Sequence, residues 1–188
     1  DIHDEVSGLL SGIAMQSDLL QESTPDPQQQ KRLQKIGEVS RKAVSQIHDV
    51  LWSIDSRKDL MDELVNRMRE HAEDILPSRG ITFDIQQVNL DPRKRLRVTI
   101  RQNVFFIYKE AINNVAKHSD ATKVIIRLER QKSSLTMRIH DNGTRQPNGS
   151  VRPGQGIDNM HMRASRIKGN LSLTFENGCQ VKLHLPRF

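Results

Sequence analysis

Tyr108-Lys109-Glu110-Ala111-Ile112-Asn113-Asn114-Val115-Ala116-Lys117-His118 is the stretch from which the rest of the chain can be read. It closes a run of apolar residues at helical spacing: Leu96, Ile100, Val104, Ile107, Ala111 and Val115. That run predicts one buried helix face. A second face carries Glu110, Asn114, Lys117 and His118 at i, i+4, i+7 and i+8, so they share about two turns. A carboxylate and an amide oxygen one turn apart suit a hard cation such as Mg2+, which takes oxygen ligands. A lysine one turn further on reaches a phosphate as a point charge. Taken alone, the same stripe is equally a solvated polar face of a surface helix.

Working outward, 188 residues suffice for one ordinary domain or two small ones. Aromatic residues are only 4%, so the core is mostly aliphatic. No run of 18 apolar residues spans a membrane, and no signal-peptide pattern opens the chain. The first residue is not Met and residue 2 already reads as helix, which points to a piece of a larger protein. A single cysteine, Cys179, rules out a disulfide framework and a Cys-based metal site, and fits a reducing cytoplasm. The net charge of +6 raises the question of nucleic acid, but Lys and Arg are scattered among Asp and Glu and no aromatic–basic interleaving appears. No direct nucleic-acid partner is expected, and the basic excess serves nucleotide phosphates or an acidic partner equally well.

Residues 2 to 22 form an amphipathic helix on Ile2, Val6, Leu9, Ile13 and Leu20, widened by Leu10, Ala14 and Leu19. Ser23-Thr24-Pro25-Asp26-Pro27 stops it and sets up a second helix, Gln28 to Ile54, with a near-heptad stripe. The two make an antiparallel hairpin. Two copies packed as a four-helix bundle bury both stripes, which predicts a homodimer through residues 1 to 56; the alternative is that the hairpin packs on its own chain. Leu60 to Leu76 is a third amphipathic helix, and Ile81 to Ile85 alternates as a strand. Asp91-Pro92 reads as a cap and first position of the long helix that ends near Lys117. Thr122 to Arg130 and Leu135 to His140 are strands, Asp141 to Gly156 a Gly-, Pro- and Asn-rich loop, and Ile157 to Lys168 a helix. Asn170 to Phe175 and Val181 to Leu185 make a closing hairpin. The fold class is α+β: the helical hairpin, then a sandwich with a largely antiparallel sheet and helices on one face.

Two glycine-bearing pieces flank the loop. Asp141-Asn142-Gly143 ends a strand, and Gly154-Gln155-Gly156-Ile157-Asp158-Asn159-Met160 opens a helix. Glycines permit close approach of backbone to phosphate, and a helix start offers free N–H groups. A carboxylate at a strand end, Asp141, can accept a hydrogen bond from an exocyclic amine such as adenine's. Neither the P-loop nor the Rossmann pattern is present. An ordinary Gly-rich loop before a helix would look the same in isolation.

In order, Glu-x-x-x-Asn-x-x-Lys-His, then Asp-x-Gly, then Gly-x-Gly-Ile-x-Asn-Met with Arg163-Ala164, resembles the GHKL (Bergerat) ATP-binding domain of bacterial two-component sensor histidine kinases. Ile2-His3-Asp4-Glu5 resembles the phosphoacceptor box of the subfamily whose histidine is followed by Asp, and Trp52-Ser53-Ile54-Asp55 the end of its second bundle helix. The resemblance covers essentially the whole chain. It implies a dimerisation and phosphotransfer hairpin at 1–57 and an ATP-binding catalytic domain at 58–188. It implies autophosphorylation on His3 with ATP and Mg2+, then transfer to an aspartate on a response regulator receiver domain. Asp4, with Glu5 second, would fix the His3 tautomer. Asn114 would hold Mg2+ with Glu110 assisting, and Lys117 and His118 would lie by the phosphates. Asp141 would read adenine beside Gly143, while Gly154, Gly156 and Ile157 would shape the ATP lid. Parents of this kind are often anchored in the inner membrane, here only through a segment upstream of this cytoplasmic fragment.

Three departures qualify the resemblance. Thr144-Arg145 stands where a further glycine is usual, and Gly178-Cys179 where Gly-Thr is usual, which removes a hydroxyl near Asp141. These two support an alternative, an ATP-binding dimeric interaction module with weakened catalysis. Gly8 stands where related kinases carry a Gln that positions a water, which implies weak phosphatase activity.

Overall fold

In a computed structural model the described residues are 2–55, 58–144 and 155–188, with only the backbone for Ile2 and His3. The chain divides into two compact units, residues 1–55 and 56–188.

The first unit is the hairpin of α1, Ile2–Ser23, and α2, Pro27–Ile54. The turn is set locally. The Asp26 carboxylate accepts a hydrogen bond from the Gln28 backbone N–H at 2.9 Å, and Pro27 opens the helix with φ already suited to it. Small residues line the buried seam: Ala14 and Ser17 from α1, Gly37 and Ser40 from α2. At Gly37 an added Cβ would lie 3.1 Å from both the Asp18 carboxylate and the Arg41 guanidinium, so the glycine leaves room for that ion pair. Large apolar side chains stay exposed, among them Leu9, Ile13, Leu20, Ile36, Val39, Val50 and Ile54.

The second unit places α3, Met61–Ile75, α4, Val98–His118, and α5, Gln155–Arg166, on one face of a five-stranded sheet. The strands are β1 Thr82–Val88, β2 Lys123–Gln131, β3 Ser134–Asp141, β4 Asn170–Thr174 and β5 Gln180–Leu185. Their order is β1-β2-β3-β5-β4. Only β1 and β2 pair in parallel; the other neighbours are antiparallel, as the alternating pattern predicts. Val124, Ile126 and Leu128 on β2, Leu135, Met137 and Ile139 on β3, and Val181, Leu183 and Leu185 on β5 point into the core. Leu64, Met68 and Ala72 of α3 and Val104, Ile107 and Ala111 of α4 meet them, with Met160 and Ala164 of α5. The buried Tyr108 hydroxyl donates to the Met68 carbonyl at 2.6 Å and ties α4 to α3.

One expected boundary is wrong. The long helix starts at Val98, not after Asp91-Pro92. Residues 91–96 are held instead by the segment before α3. Leu96 N–H donates to Asp59 O, Met61 N–H to Lys94 O and Asp62 N–H to Pro92 O, and Leu60 bridges Arg95. Asp91 does cap, but it caps a single turn through the Arg93 N–H. Leu96 is buried outside the helix whose stripe it was counted in. Smaller differences are β1 reaching Val88 and α5 starting two residues early, at Gln155.

Candidate functional site

The site gathers at the C-terminal end of α4, the end of β3 and the start of α5. The 3.6-residue period puts Glu110 and Asn114, both half-buried, one turn apart on α4. Lys117 and His118 follow in the last turn, exposed. Cations there favour the helix C-terminus, so their position has a structural reason as well.

Asp141 is the last residue of β3 and is 2% exposed. Its Oδ1 accepts two hydrogen bonds, from the Gly143 backbone N–H at 2.9 Å and the Ser119 hydroxyl at 3.0 Å. Among the described residues, no hydrogen bond reaches Oδ2. Oδ2 is not among the buried atoms that lack a partner, so it keeps contact with solvent and its lone pairs can accept a hydrogen bond from a ligand. The surroundings are rigid. Asn142 Oδ1 accepts from the N–H groups of Thr122 and Lys123, each at 2.9 Å, which locks the end of β3 onto β2. The Asp120 carboxylate accepts from Thr144 twice, from its N–H at 2.8 Å and its hydroxyl at 2.7 Å.

Glycines allow close approach here. A Cβ on Gly143 would collide with the Ser119 hydroxyl and lie 2.8 Å from the Asp120 and Asp141 carboxylates. A Cβ on Gly156 would overlap the Glu110 carboxylate, so the start of α5 lies against the polar face of α4. Gly178 has φ of +110°, and its Cβ would overlap the Asp141 carbonyl. The turn before β5 thus closes over Asp141, whose N–H donates to Cys179 O at 3.1 Å. Burial, aided by the nearby Asp141 charge, pushes the Cys179 thiol up to about 11. Arg163 of α5 stacks on the Phe106 ring, 4.4 Å from its centroid, and burial lowers its pKa from the usual arginine value against the opposing pull of Glu110.

Of the expected site residues, Glu110, Asn114, Asp141, Gly143 and Gly156 fall in this second-unit region. Ile157 lies in the first turn of α5, half-buried. Gly154 and Arg145 lie outside the described residues. His3 is in the first turn of α1, but its side chain lies outside the description; Asp4 and Glu5 are exposed on the same turn. Among the described residues no group of three His, Cys, Asp or Glu side chains converges on a metal position. Glu110 and Asn114, one turn apart on α4, could offer two oxygen donors to a hard cation. Ser119, Asp120 and Thr144 escaped the sequence reading as contributors to the site. Their only local signal is Ser-Asp directly after a helix end, a capping and turn pattern common on any surface.

The helix-on-sheet layout is the α+β fold of solved histidine kinase domains. A histidine kinase family model matches residues 1–60. The sensor histidine kinase DesK of Bacillus subtilis is 26% identical over 99% of this chain and 49% of its own length. The signal transduction histidine-protein kinase/phosphatase UhpB of Salmonella typhimurium is 26% identical over 100% of this chain and 37% of its own. Among solved structures, the Acinetobacter baumannii histidine kinase AdeS superposes with a TM-score of 0.61 at 16% identity, covering 95% of this chain and 93% of that one. The chain is thus similar at its N-terminal end to a histidine kinase family model and along its length to sensor histidine kinases, and spans about half or less of the length of these curated relatives. Among the described residues no helix is long and apolar enough to cross a membrane.

Proposed function

We propose that this chain is the catalytic core of its parent kinase: it phosphorylates itself on His3 with ATP and passes the phosphoryl group to an aspartate of a response regulator receiver domain. The observation that carries the nucleotide reading is Asp141, buried, with one oxygen committed to Ser119 and Gly143 and the other open to an exocyclic amine. In this reading residues 58–188 bind the nucleotide and residues 1–57 receive the phosphate. Adenine sits on Asp141 above Gly143, with the phosphates towards Lys117 and His118 and the segment of Gly154, Gly156 and Ile157 closing over them. Glu110 and Asn114 would hold Mg2+, which neutralises phosphate charge when bound.

The chain's own contribution is positioning. A neutral imidazole is the nucleophile at pH 7, and Asp4, with Glu5 second, orients its other nitrogen. The exposed apolar stripe of the hairpin supports a homodimer through residues 1–56. Gly8, with open space around it, offers no side chain to hold a hydrolytic water, so loss of phosphate from the regulator stays near its spontaneous rate. Regulator dephosphorylation accelerated by the nucleotide-free chain would contradict that. The parent protein would sit at the inner membrane through a segment upstream of residue 1.

The test is incubation with γ-labelled ATP and Mg2+ beside His3→Gln and Asn114→Ala. Acid-labile, alkali-stable label on the parent alone supports the kinase. Label persisting in His3→Gln overturns the phosphoacceptor. Nucleotide binding without any label favours the interaction-module reading, to which Cys179 in place of a hydroxyl residue lends its support.

A further inference from the structure

We propose that Ser119 is a positioning residue for base recognition: its hydroxyl holds Asp141 so that Oδ2, and not Oδ1, faces the base. The inference rests on the reading of Asp141 as the base acceptor. Ser119 is the C-cap of α4, and its N–H donates to Val115 O at 3.0 Å, so the helix end fixes its backbone. The Ala121 N–H donates to Ser119 Oγ at 3.1 Å. That bond occupies a lone pair of the hydroxyl and turns its proton towards Asp141 Oδ1, 3.0 Å away. The Gly143 N–H meets the same oxygen at 2.9 Å. Two donors on Oδ1 lock the carboxylate rotamer, and the lone pairs of Oδ2 remain for the ligand.

The turn before β5, on the other side of Asp141, offers no hydroxyl. Cys179 is there instead, and its thiol is a weak donor. Among the described residues Ser119 supplies the one side-chain hydroxyl bonded to this carboxylate. It therefore does from the end of α4 what a hydroxyl residue at position 179 would do from the turn before β5. The bond spans 22 residues of sequence, joining a helix cap to a strand end.

The test compares two nucleotides by calorimetry on the whole chain: ADP, and the diphosphate of purine riboside, which has hydrogen in place of the 6-amino group. In Ser119→Ala, ADP affinity falls about five- to tenfold, the equivalent of one hydrogen bond, while affinity for the purine nucleotide stays unchanged. Ser119→Thr, which keeps the hydroxyl, restores the preference for ADP. Equal weakening of both nucleotides would assign Ser119 a merely structural part and overturn the proposal, as would no change in either. If the alanine variant does not fold, Ser119→Cys carries the same comparison with a weaker donor. A parent chain that binds both nucleotides equally well would instead sink the Asp141 reading itself, and the role of Ser119 with it. A parent that prefers ADP, with a preference Ser119→Ala leaves intact, would sink only the role of Ser119.

Discussion

Leu9→Ser tests the dimer, because Leu9 is 64% exposed, outside the buried seam of the hairpin. It lies on one stripe of α1 with Val6, Ile13 and Leu20, each also exposed. Fully burying a leucine side chain is worth about 1.5–3 kcal/mol. With about two-thirds of it still exposed in one hairpin, a partner can add about 1–2 kcal/mol per copy. A two-fold interface counts each position twice, so the substitution removes about 2–4 kcal/mol and raises the dimer Kd about 30- to 1000-fold. Sedimentation equilibrium across the micromolar range reads this directly. Met15→Ser is the control: Met15 is 65% exposed, but it points about 120° away from Leu9 and lies off the stripe. It should leave the Kd within about threefold, since surface changes away from an interface are near neutral. A parent chain that stays monomeric, or a Leu9→Ser chain that dimerises like the parent, would refute the bundle. Equal effects at Leu9 and Met15 would refute the assignment of the stripe.

Asp141→Asn can keep the bonds from Ser119 and Gly143 with its amide oxygen, which leaves an NH2 where Oδ2 was. Donor then faces donor, and ADP affinity should fall about 10- to 150-fold for the lost charge-assisted bond, with little change in thermal stability; unaltered calorimetric binding would refute the base contact. Tyr108→Phe deletes the buried 2.6 Å bond to Met68 and should cost about 1–2 kcal/mol in urea unfolding at unchanged m-value, and an unchanged midpoint would contradict it. The Cys179 thiol, at about 11 against an ordinary 9.0, should be alkylated with a midpoint shifted up by that difference relative to the unfolded chain. Its folded pKa is raised, so its contribution to stability is complete below pH 9.0 and is lost as pH rises through about 11. Equal alkylation midpoints in folded and urea-unfolded protein would contradict the burial.

Much of this molecule was legible from local pattern. The hairpin follows from two apolar stripes and from Asp26-Pro27, where a capping carboxylate and a fixed φ act within two residues. Glu110 and Asn114 share a face because an α-helix turns every 3.6 residues, and no tertiary information is needed for that. The inward and outward residues of β2, β3 and β5 follow from period-two alternation. The start of α4 was not legible. Asp91-Pro92 carries the same local signal as Asp26-Pro27, and only the backbone bonds from residues 59–62 decide that a single turn forms there and the helix waits until Val98. The neighbourhood of Asp141 was also hidden. Ser119 is 22 residues away, and the turn at Gly178 closes over it from 37 residues further on. Sequence pattern encodes what a residue meets within a turn or a pleat. Which strand end meets which helix cap depends on sheet order and register, set by the packing of the whole core, and that is where the open oxygen of Asp141 was decided.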